Sequence, residues 1–291
     1  MKGIILAGGA GTRLYPLTKV ISKQLLPVYD KPMIYYPLCT LMLADIREIL
    51  IISTKTDINR FEALLGDGSY FGISLAYKVQ PFPKGLADAF ILGDDFLCGE
   101  SGALILGDNI FYGNRIEEKL HKAVIDAEEN GRATIFGYYV KDPQEFGVVA
   151  FDESGYITSI EEKPLCPKSN YAVTGLYFYP NDVCIRAYKV TPSDRDELEI
   201  TTLNDMYLKE KLLNAQILDT DVVWFDTGTV NSLLEAAKYV ELIQKVTGKV
   251  ICSPEQVALK KQWIDKDTFL QAVNNYGKSC YGKSLQSVEN G

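Results

Sequence analysis

The run Ile4-Ile5-Leu6-Ala7 passes without a linker into Gly8-Gly9-Ala10-Gly11-Thr12-Arg13-Leu14, and Lys23 follows ahead of Leu25-Leu26-Pro27. A short aliphatic strand thus feeds a glycine-rich turn. Residues without a Cβ let backbone N–H groups turn toward an anion, and the next helical turn adds the positive end of its dipole. Arg13 and Lys23 supply full charges, so the natural guest is a triphosphate. The glycines alone read equally as a plain strand-to-helix connection; the two cations tip the reading toward a phosphate site. Spelling excludes two familiar loops. The P-loop needs Gly-Lys-Ser/Thr, but no Lys follows Gly11, and the dinucleotide fingerprint needs Gly or Ala where Leu14 stands.

Downstream, strand-like runs over 3–6, 48–53, 74–79 and 103–106 alternate with segments predicted as helices over 33–44, 58–65 and 86–96. That rhythm is the pattern of βαβ units and a parallel sheet. After a helix predicted over 116–129, strands crowd together over 134–140, 147–151, 156–161 and 171–179 with short polar turns, which implies antiparallel or mixed pairing. Helices are predicted again over 200–213 and 230–247, around a short strand at 222–225. The tail after Gly248 reads as helical in its middle and polar at its end. No linker, internal repeat or low-complexity segment cuts the chain. The expected fold class is α/β, a Rossmann-like three-layer α/β/α arrangement with a mixed central sheet. Its main unit spans 1–247, and 248–291 is a helical elaboration of the same domain.

With 291 residues, 47% of them hydrophobic, the chain can bury a large core. Its 38 acidic residues outnumber 30 basic ones, a formal charge of -8 with no Lys/Arg block. A nucleic-acid or anionic-membrane partner therefore has no electrostatic footprint, and any polyphosphate site must concentrate its cations locally. No signal peptide precedes Ile4 and no run approaches membrane-spanning length, so the expected location is cytoplasmic. Cys39, Cys98, Cys166, Cys184, Cys252 and Cys280 form no CxxC pair and sit mostly in apolar surroundings, which predicts reduced structural thiols. The single His121, within Glu117-Glu118-Lys119-Leu120-His121-Lys122, reads as a solvated surface residue.

Asp108 closes the apolar run 103–107, at the carboxyl edge of an expected parallel strand, where open α/β sheets hold ligands. Asp226 is placed similarly, after Val222-Val223-Trp224-Phe225 and before Thr227-Gly228-Thr229. Two such carboxylates can share a divalent cation while substrate phosphates complete its shell. Taken singly, each reads more readily as a turn-forming Asp. Glu161-Glu162-Lys163 alone reads as a solvated strand edge, and the loop Gln80-Pro81-Phe82-Pro83-Lys84-Gly85 equally as a ligand loop or a plain connection.

Leu6-Ala7-Gly8-Gly9-x-Gly11-Thr12-Arg13-Leu14, with Ser22-Lys23-Gln24-Leu25-Leu26-Pro27-Val28 behind it, resembles the signature of the sugar nucleotidyltransferases. The resemblance runs from Met1 to at least Trp263. It implies the nucleotidyltransferase form of the three-layer fold, with 1–247 as catalytic domain. The implied reaction is Mg²⁺-dependent: dTTP and α-D-glucose 1-phosphate give dTDP-glucose and pyrophosphate, entering dTDP-rhamnose and cell-surface polysaccharide synthesis. The resemblance also implies a homotetramer, with feedback at a second site near the C-terminal helices.

The same resemblance assigns roles. Arg13 and Lys23 steady the triphosphate and the transition-state charge, with Gly8, Gly9, Gly11 and Thr12 forming the phosphate loop. Asp108 and Asp226 hold Mg²⁺. Gln80 and Gly85 read the base, and Gln24 contacts base or phosphate. Glu162 and Lys163 hold the sugar and its phosphate, and Asn109, Phe146, Gly147 and Val173 complete the substrate set. Some positions depart from the family pattern. Phe146 replaces a usual Tyr, Thr202 a usual Asp, Val230-Asn231 a His-acid pair, Lys84 an acidic residue, and Lys260 an Arg associated with regulation. Rival readings are the same reaction with UTP or another sugar 1-phosphate, a silent nucleotide-sugar sensor, and a dinucleotide-dependent oxidoreductase. Retention of Arg13, Lys23, Asp108 and Asp226 argues against the sensor. Leu14, and Asp30 in its Tyr-Asp-Lys-Pro turn, argue against the oxidoreductase.

Overall fold

A computed structural model describes residues 1–288; residues 289–291, at the polar end of the tail, lie outside the described residues. The strands are β1 (Lys2–Ala7), β2 (Pro27–Val28), β3 (Lys31–Pro32), β4 (Glu48–Ser53), β5 (Ser74–Val79), β6 (Gly102–Leu106), β7 (Asn109–Gly113), β8 (Ala133–Tyr139), β9 (Gly147–Phe151), β10 (Ile157–Glu162), β11 (Tyr171–Tyr179), β12 (Leu213–Leu218) and β13 (Val222–Asp226). The helices are α1 (Tyr35–Leu43), α2 (Ile58–Leu65), α3 (Asp88–Leu92), α4 (Asp94–Leu97), α5 (Ile116–Glu128), α6 (Val183–Ala187), α7 (Ile200–Lys209), α8 (Val230–Thr247), α9 (Pro254–Lys260), α10 (Lys266–Asn275) and α11 (Cys280–Val288).

Among the described residues, nine strands form one mixed sheet with the path β10-β9-β11-β6-β1-β4-β5, to which β8 and β12 attach beside β11. The half built by helix crossovers is parallel: β1 pairs with β4 and β6, and β4 with β5. The closely spaced strands are antiparallel, β11 running against β6, β8 and β9. Alternate side chains of the central strands leave the sheet on opposite faces. Ile5, Ile51 and Ile105 join the core shared with α1, α5 and the tail helices. Ile4, Ile52 and Leu104 join the one shared with α3, α6 and α7. Each fully buried Ile or Leu contributes roughly 1.5–3 kcal/mol, so the two-sided apolar strands hold three layers together. Phe269, Val273, Tyr281 and Leu285 of the tail lie in the first of these cores.

Several elements differ from the sequence reading. The helix predicted over 86–96 is two short helices divided at Gly93, where a Cβ would lie 2.7 Å from Ile4 Cδ1. The helix predicted over 200–213 stops at Lys209, and Leu213–Leu218 is instead a strand parallel to β8. After β6 the chain turns through Gly107-Asp108 into β7, an unexpected strand that pairs antiparallel with β13. Asp226 therefore ends an antiparallel ribbon rather than a strand of the parallel sheet. All six cysteines are free, yet Cys98, Cys166 and Cys280 are exposed, because apolar sequence neighbours do not decide which way a turn residue points. His121 is half-exposed, with Nε2 2.9 Å from Asp45 Oδ2. No helix among the described residues is long and apolar enough to cross a membrane.

Candidate active site

The glycine loop leaves β1 with Gly9 and Gly11 at φ 103° and 57°, in the left-handed region that favours glycine. Gly11 O accepts from Leu14 N (2.9 Å) and Thr18 Oγ1 (2.7 Å), and buried Leu14 anchors the short turn Thr12–Leu14. That turn carries Arg13 toward β13. A Cβ on Gly228 would lie 3.0 Å from Arg13 Nη2 and 3.1 Å from Asp226 Oδ1, so the missing side chain lets guanidinium and carboxylate approach together.

The ribbon of β7 and β13 brings the acidic residues together, pairing Asp226 with Asn109, the neighbour of Asp108. Asp108 forms an ion pair with Lys23, and its Oδ1 accepts from Asn109 Nδ2 at 3.0 Å. Thr227 Oγ1 donates to Asp108 O at 2.7 Å. Asn109 is buried, and its Oδ1 accepts from Trp224 Nε1 at 2.6 Å and Gly175 N at 3.0 Å, tying β7 to β13 and β11. Burial, and then the charge of Asp108, push the Asp226 carboxyl above its ordinary value, against the opposing pull of Lys23 and Arg13.

Two clefts meet here. The first, about 240 Å³, is lined by Gly8, Gly9, Gly11, Thr12, Arg13, Lys23, Gln24 and Asp108. The second, about 570 Å³, is lined by Phe146, Gly147, Glu162, Lys163, Val173 and Asp226. Arg13, Leu86 and Gly228 line both, so Asp108 and Asp226 stand on either side of one junction. In the second cleft the β9–β10 register sets Glu162 opposite Gly147. Glu162 Oε2 accepts from Thr201 Oγ1 (2.6 Å), and Oε1 from Arg195 Nη2 (3.1 Å), which also reaches Glu199 Oε1 at 2.9 Å. Lys163 sits at φ 42°, its N–H bound to Phe146 O, and its ammonium has no ion pair among the described residues. The Phe146 ring packs edge-on against Trp224.

The base-reading candidates are less convergent. Gln80 is buried, its Nε2 donates to Asp88 Oδ2 at 3.0 Å, and its Oε1 lies 3.0 Å from where a Gly8 Cβ would stand. Gln24 Oε1 accepts from Ser22 Oγ at 2.6 Å. Gln80, Gly85 and Asn109 line neither cleft, and the Cβ position of Gly85 is filled by the Leu198 backbone. Sequence reasoning missed Asp88, Thr201 and Arg195. Thr201 lies in Glu197-Leu198-Glu199-Ile200-Thr201, whereas Arg195 carries no local signal beyond acidic neighbours.

Among the described residues no group of three or more His, Cys, Asp or Glu side chains converges as a metal site. Asp108 and Asp226 offer oxygen donors only, and burial beside the Asp108 charge raises the Asp226 carboxyl. Both features fit a hard divalent cation whose remaining ligands are phosphate and water oxygens.

A family model described as nucleotidyl transferase matches residues 2–242. The glucose-1-phosphate thymidylyltransferase of Xanthomonas campestris pv. campestris strain B100 is 52% identical over 287 residues, 99% of this chain and 96% of its own. That of Neisseria gonorrhoeae is 53% identical over 285 residues, 98% of each chain. In structure, a Bacillus anthracis protein solved with sucrose has a TM-score of 0.76 at 42% identity, covering 82% of this chain and 94% of its own. A UDP-glucose pyrophosphorylase solved with UDP-glucose shares the fold, at TM-score 0.71 and 24% identity over 83% of this chain and 98% of its own.

Proposed function

This chain belongs to the nucleotidyl transferase family, and we propose that it transfers the thymidylyl group of dTTP to α-D-glucose 1-phosphate, giving dTDP-glucose and pyrophosphate. The observation that carries the reading is the junction itself. Two clefts, one lined by the glycine loop with Arg13 and Lys23 and one lined by Glu162 and Lys163, meet where Arg13, Asp108 and Asp226 lie.

A sugar-phosphate oxygen attacks the α-phosphorus, the bond to the bridging oxygen breaks, and its electron pair leaves with pyrophosphate. No side chain needs to serve as nucleophile. Both reactants are anions, so their repulsion is the obstacle and fixed positive charge is the remedy. We assign Arg13 to the charge that develops on the α-phosphate, Lys23 to the triphosphate, and Lys163 to the attacking phosphate. Glu162, held by Thr201 and Arg195, is placed to accept from sugar hydroxyls. Asp108 and Asp226 would hold a divalent cation, Mg²⁺ in our reading. When bound, it supplies Lewis-acid neutralisation of phosphate oxygens.

The base is read by orientation. A carboxylate only accepts, so Asp88 takes the Gln80 NH₂ and leaves Oε1 as the free acceptor at the Gly8 end. That acceptor suits the N3–H of thymine or uracil and not the bare N3 of cytosine.

We read 1–247 as the catalytic unit and 248–291 as its extension, in a homotetramer. Exposed Val230, Leu234, Leu242 and Val246 repeat along α8 at intervals of four or eight, a stripe another subunit can cover. Free cysteines suit a reducing cytoplasm. Product analysis tests the function: dTDP-glucose and pyrophosphate must form in equal amounts. Tight dTDP-glucose binding without turnover would favour the silent sensor instead.

A further inference from the structure

Lys31 has no role in the account so far, and it lines neither the phosphate cleft nor the sugar cleft. Its side chain is 1% exposed, as is that of Asp30, whose Oδ1 accepts from Lys31 Nζ at 2.6 Å. The ammonium also lies 5.1 Å from the centre of the Tyr36 ring and 5.3 Å from that of Tyr281. Gln244 completes the group. Its Nε2 donates to Asp30 Oδ2 at 2.8 Å, while its Oε1 lies 3.4 Å from Lys31 Nζ and accepts from Ile251 N at 3.1 Å. Three segments far apart in the chain thus meet on one cation: the β2–β3 hairpin, the end of α8 and the last helix of the tail.

Desolvation of both charges offsets most of their attraction, so apolar side chains of similar volume would hold these segments together about as well. What the ion pair adds is a fixed arrangement, because an ammonium held between a carboxylate and two ring faces has few alternative positions. Tyr281 is itself fixed. Its hydroxyl donates to buried Glu255 Oε2 at 2.5 Å, and burial beside that carboxylate pushes the hydroxyl well above its ordinary value, so it stays a donor. The hairpin carries this arrangement to the phosphate cleft. Met33 N donates to Leu26 O and Ile34 N to Gln24 O, both at 2.9 Å, so Lys31 sits near the closed end of a loop whose open end is Gln24, next to Lys23. Lys23 and Gln24 both line the phosphate cleft. Met33 Sδ also lies 3.2 Å from Thr227 Oγ1, the hydroxyl that donates to Asp108 O.

We propose that Lys31 is a positioning residue for the phosphate cleft: clamped by Asp30, Gln244 and the Tyr281 ring, it fixes the hairpin that presents Lys23 and Gln24 to the triphosphate. The proposal rests on the transferase reading. It gives the tail a part in nucleotide binding, since Tyr281 comes from α11. The sugar cleft is held by other means, with Glu162 bound by Thr201 and Arg195, and the Lys163 N–H by Phe146 O.

Two measurements test this together: rates of pyrophosphate release with dTTP and glucose 1-phosphate at saturating Mg²⁺, and calorimetric binding of dTTP with Mg²⁺ and no sugar phosphate. Lys31→Met, which keeps the length and removes the charge, is expected to raise both KM and Kd for dTTP roughly tenfold, the scale of one hydrogen bond to a charged group. Lys31→Arg should restore most of the loss. Tyr281→Leu, which removes the ring, should raise Kd for dTTP roughly fivefold, the scale of one buried cation–π contact, and Tyr281→Phe, which keeps the ring, by less than about twofold. KM for glucose 1-phosphate should stay within about twofold of the parent throughout. A merely structural residue would instead lower kcat through the folded fraction and leave both KM values alone. An unchanged Kd for dTTP in folded Lys31→Met, or an equal rise in both KM values, overturns the positioning role. Where Lys31→Met does not fold, the Tyr281 pair decides, and an equal Kd for dTTP in Leu and Phe overturns it. A parent that binds dTTP but releases no pyrophosphate overturns the transferase reading, and the Kd comparison still judges the clamp.

Discussion

Asn109 lines neither the phosphate cleft nor the sugar cleft, yet the active-site geometry depends on it. Its Oδ1 is the acceptor for two buried donors, Trp224 Nε1 and Gly175 N, and its Nδ2 holds Asp108 Oδ1. Asn109→Ala strands both donors away from water, at about 1–3 kcal/mol each, so about 2–6 kcal/mol in all. That is a large part of the roughly 5–15 kcal/mol by which a folded domain exceeds its unfolded state. Asn109→Asp separates stability from chemistry. It keeps the acceptor oxygens for Trp224 and Gly175, loses the donor to Asp108, and adds a like charge beside it. Urea titration read by Trp emission should show a large drop in midpoint for Ala and a smaller one for Asp, at similar slope. Turnover should fall in both, and Asp should remain impaired where it is fully folded. If Asn109→Ala lost less than about 1 kcal/mol, or folded Asn109→Asp turned over like the parent, the ribbon would not be what sets Asp108.

Asp226→Asn should remove most turnover, since several kcal/mol of charge stabilisation depend on the cation pair. The same variant should be more stable than the parent without metal at neutral pH. The folded carboxyl is raised above its ordinary 3.8, so the folded state binds more protons in that window and its stability falls as pH rises through it. The gain should therefore shrink as pH falls toward 3.8, and a variant less stable at neutral pH would contradict the assigned electrostatics. Arg13→Ala should lower kcat by roughly 10²-fold or more, the scale of losing one preorganised donor, with a smaller effect on KM for glucose 1-phosphate. A change in KM alone would mean that Arg13 binds ground and transition states alike. Asp88→Leu frees the Gln80 amide to rotate, so discrimination of dTTP against CTP should relax; unchanged discrimination would remove Gln80 orientation from the account.

The glycine turn and the parallel strands are legible in the sequence because each is set by residues close together in the chain. Strand, glycine turn and Arg13 lie within a dozen residues, and the alternation of apolar runs with helices reports the parallel half of the sheet directly. What escaped depends on distant partners. β7 is a strand only because β13, more than a hundred residues later, pairs with it, and this ribbon rather than two parallel strand ends brings the acids together. Leu213–Leu218 contains Asn214 and Gln216 and one β-branched residue, Ile217, so its propensity is weak; the edge of β8 makes it a strand. Arg195 was equally invisible, since a cation among acidic neighbours looks like surface until Glu162 arrives from another element at 3.1 Å. Gly85 shows the opposite case: its glycine is required, but by the Leu198 backbone rather than by a cleft.

The central claim is a transfer whose base is read by Gln80 and whose chemistry occurs where two clefts meet. Initial rates of pyrophosphate release with dTTP, UTP, ATP and GTP, each at the same glucose 1-phosphate and Mg²⁺, test it most directly. The expected order of kcat/KM is dTTP above UTP, by the roughly 1–3 kcal/mol of one methyl group in an apolar contact, with both far above the purine triphosphates. A preference for GTP or ATP, or no pyrophosphate release with either pyrimidine triphosphate, would contradict the account.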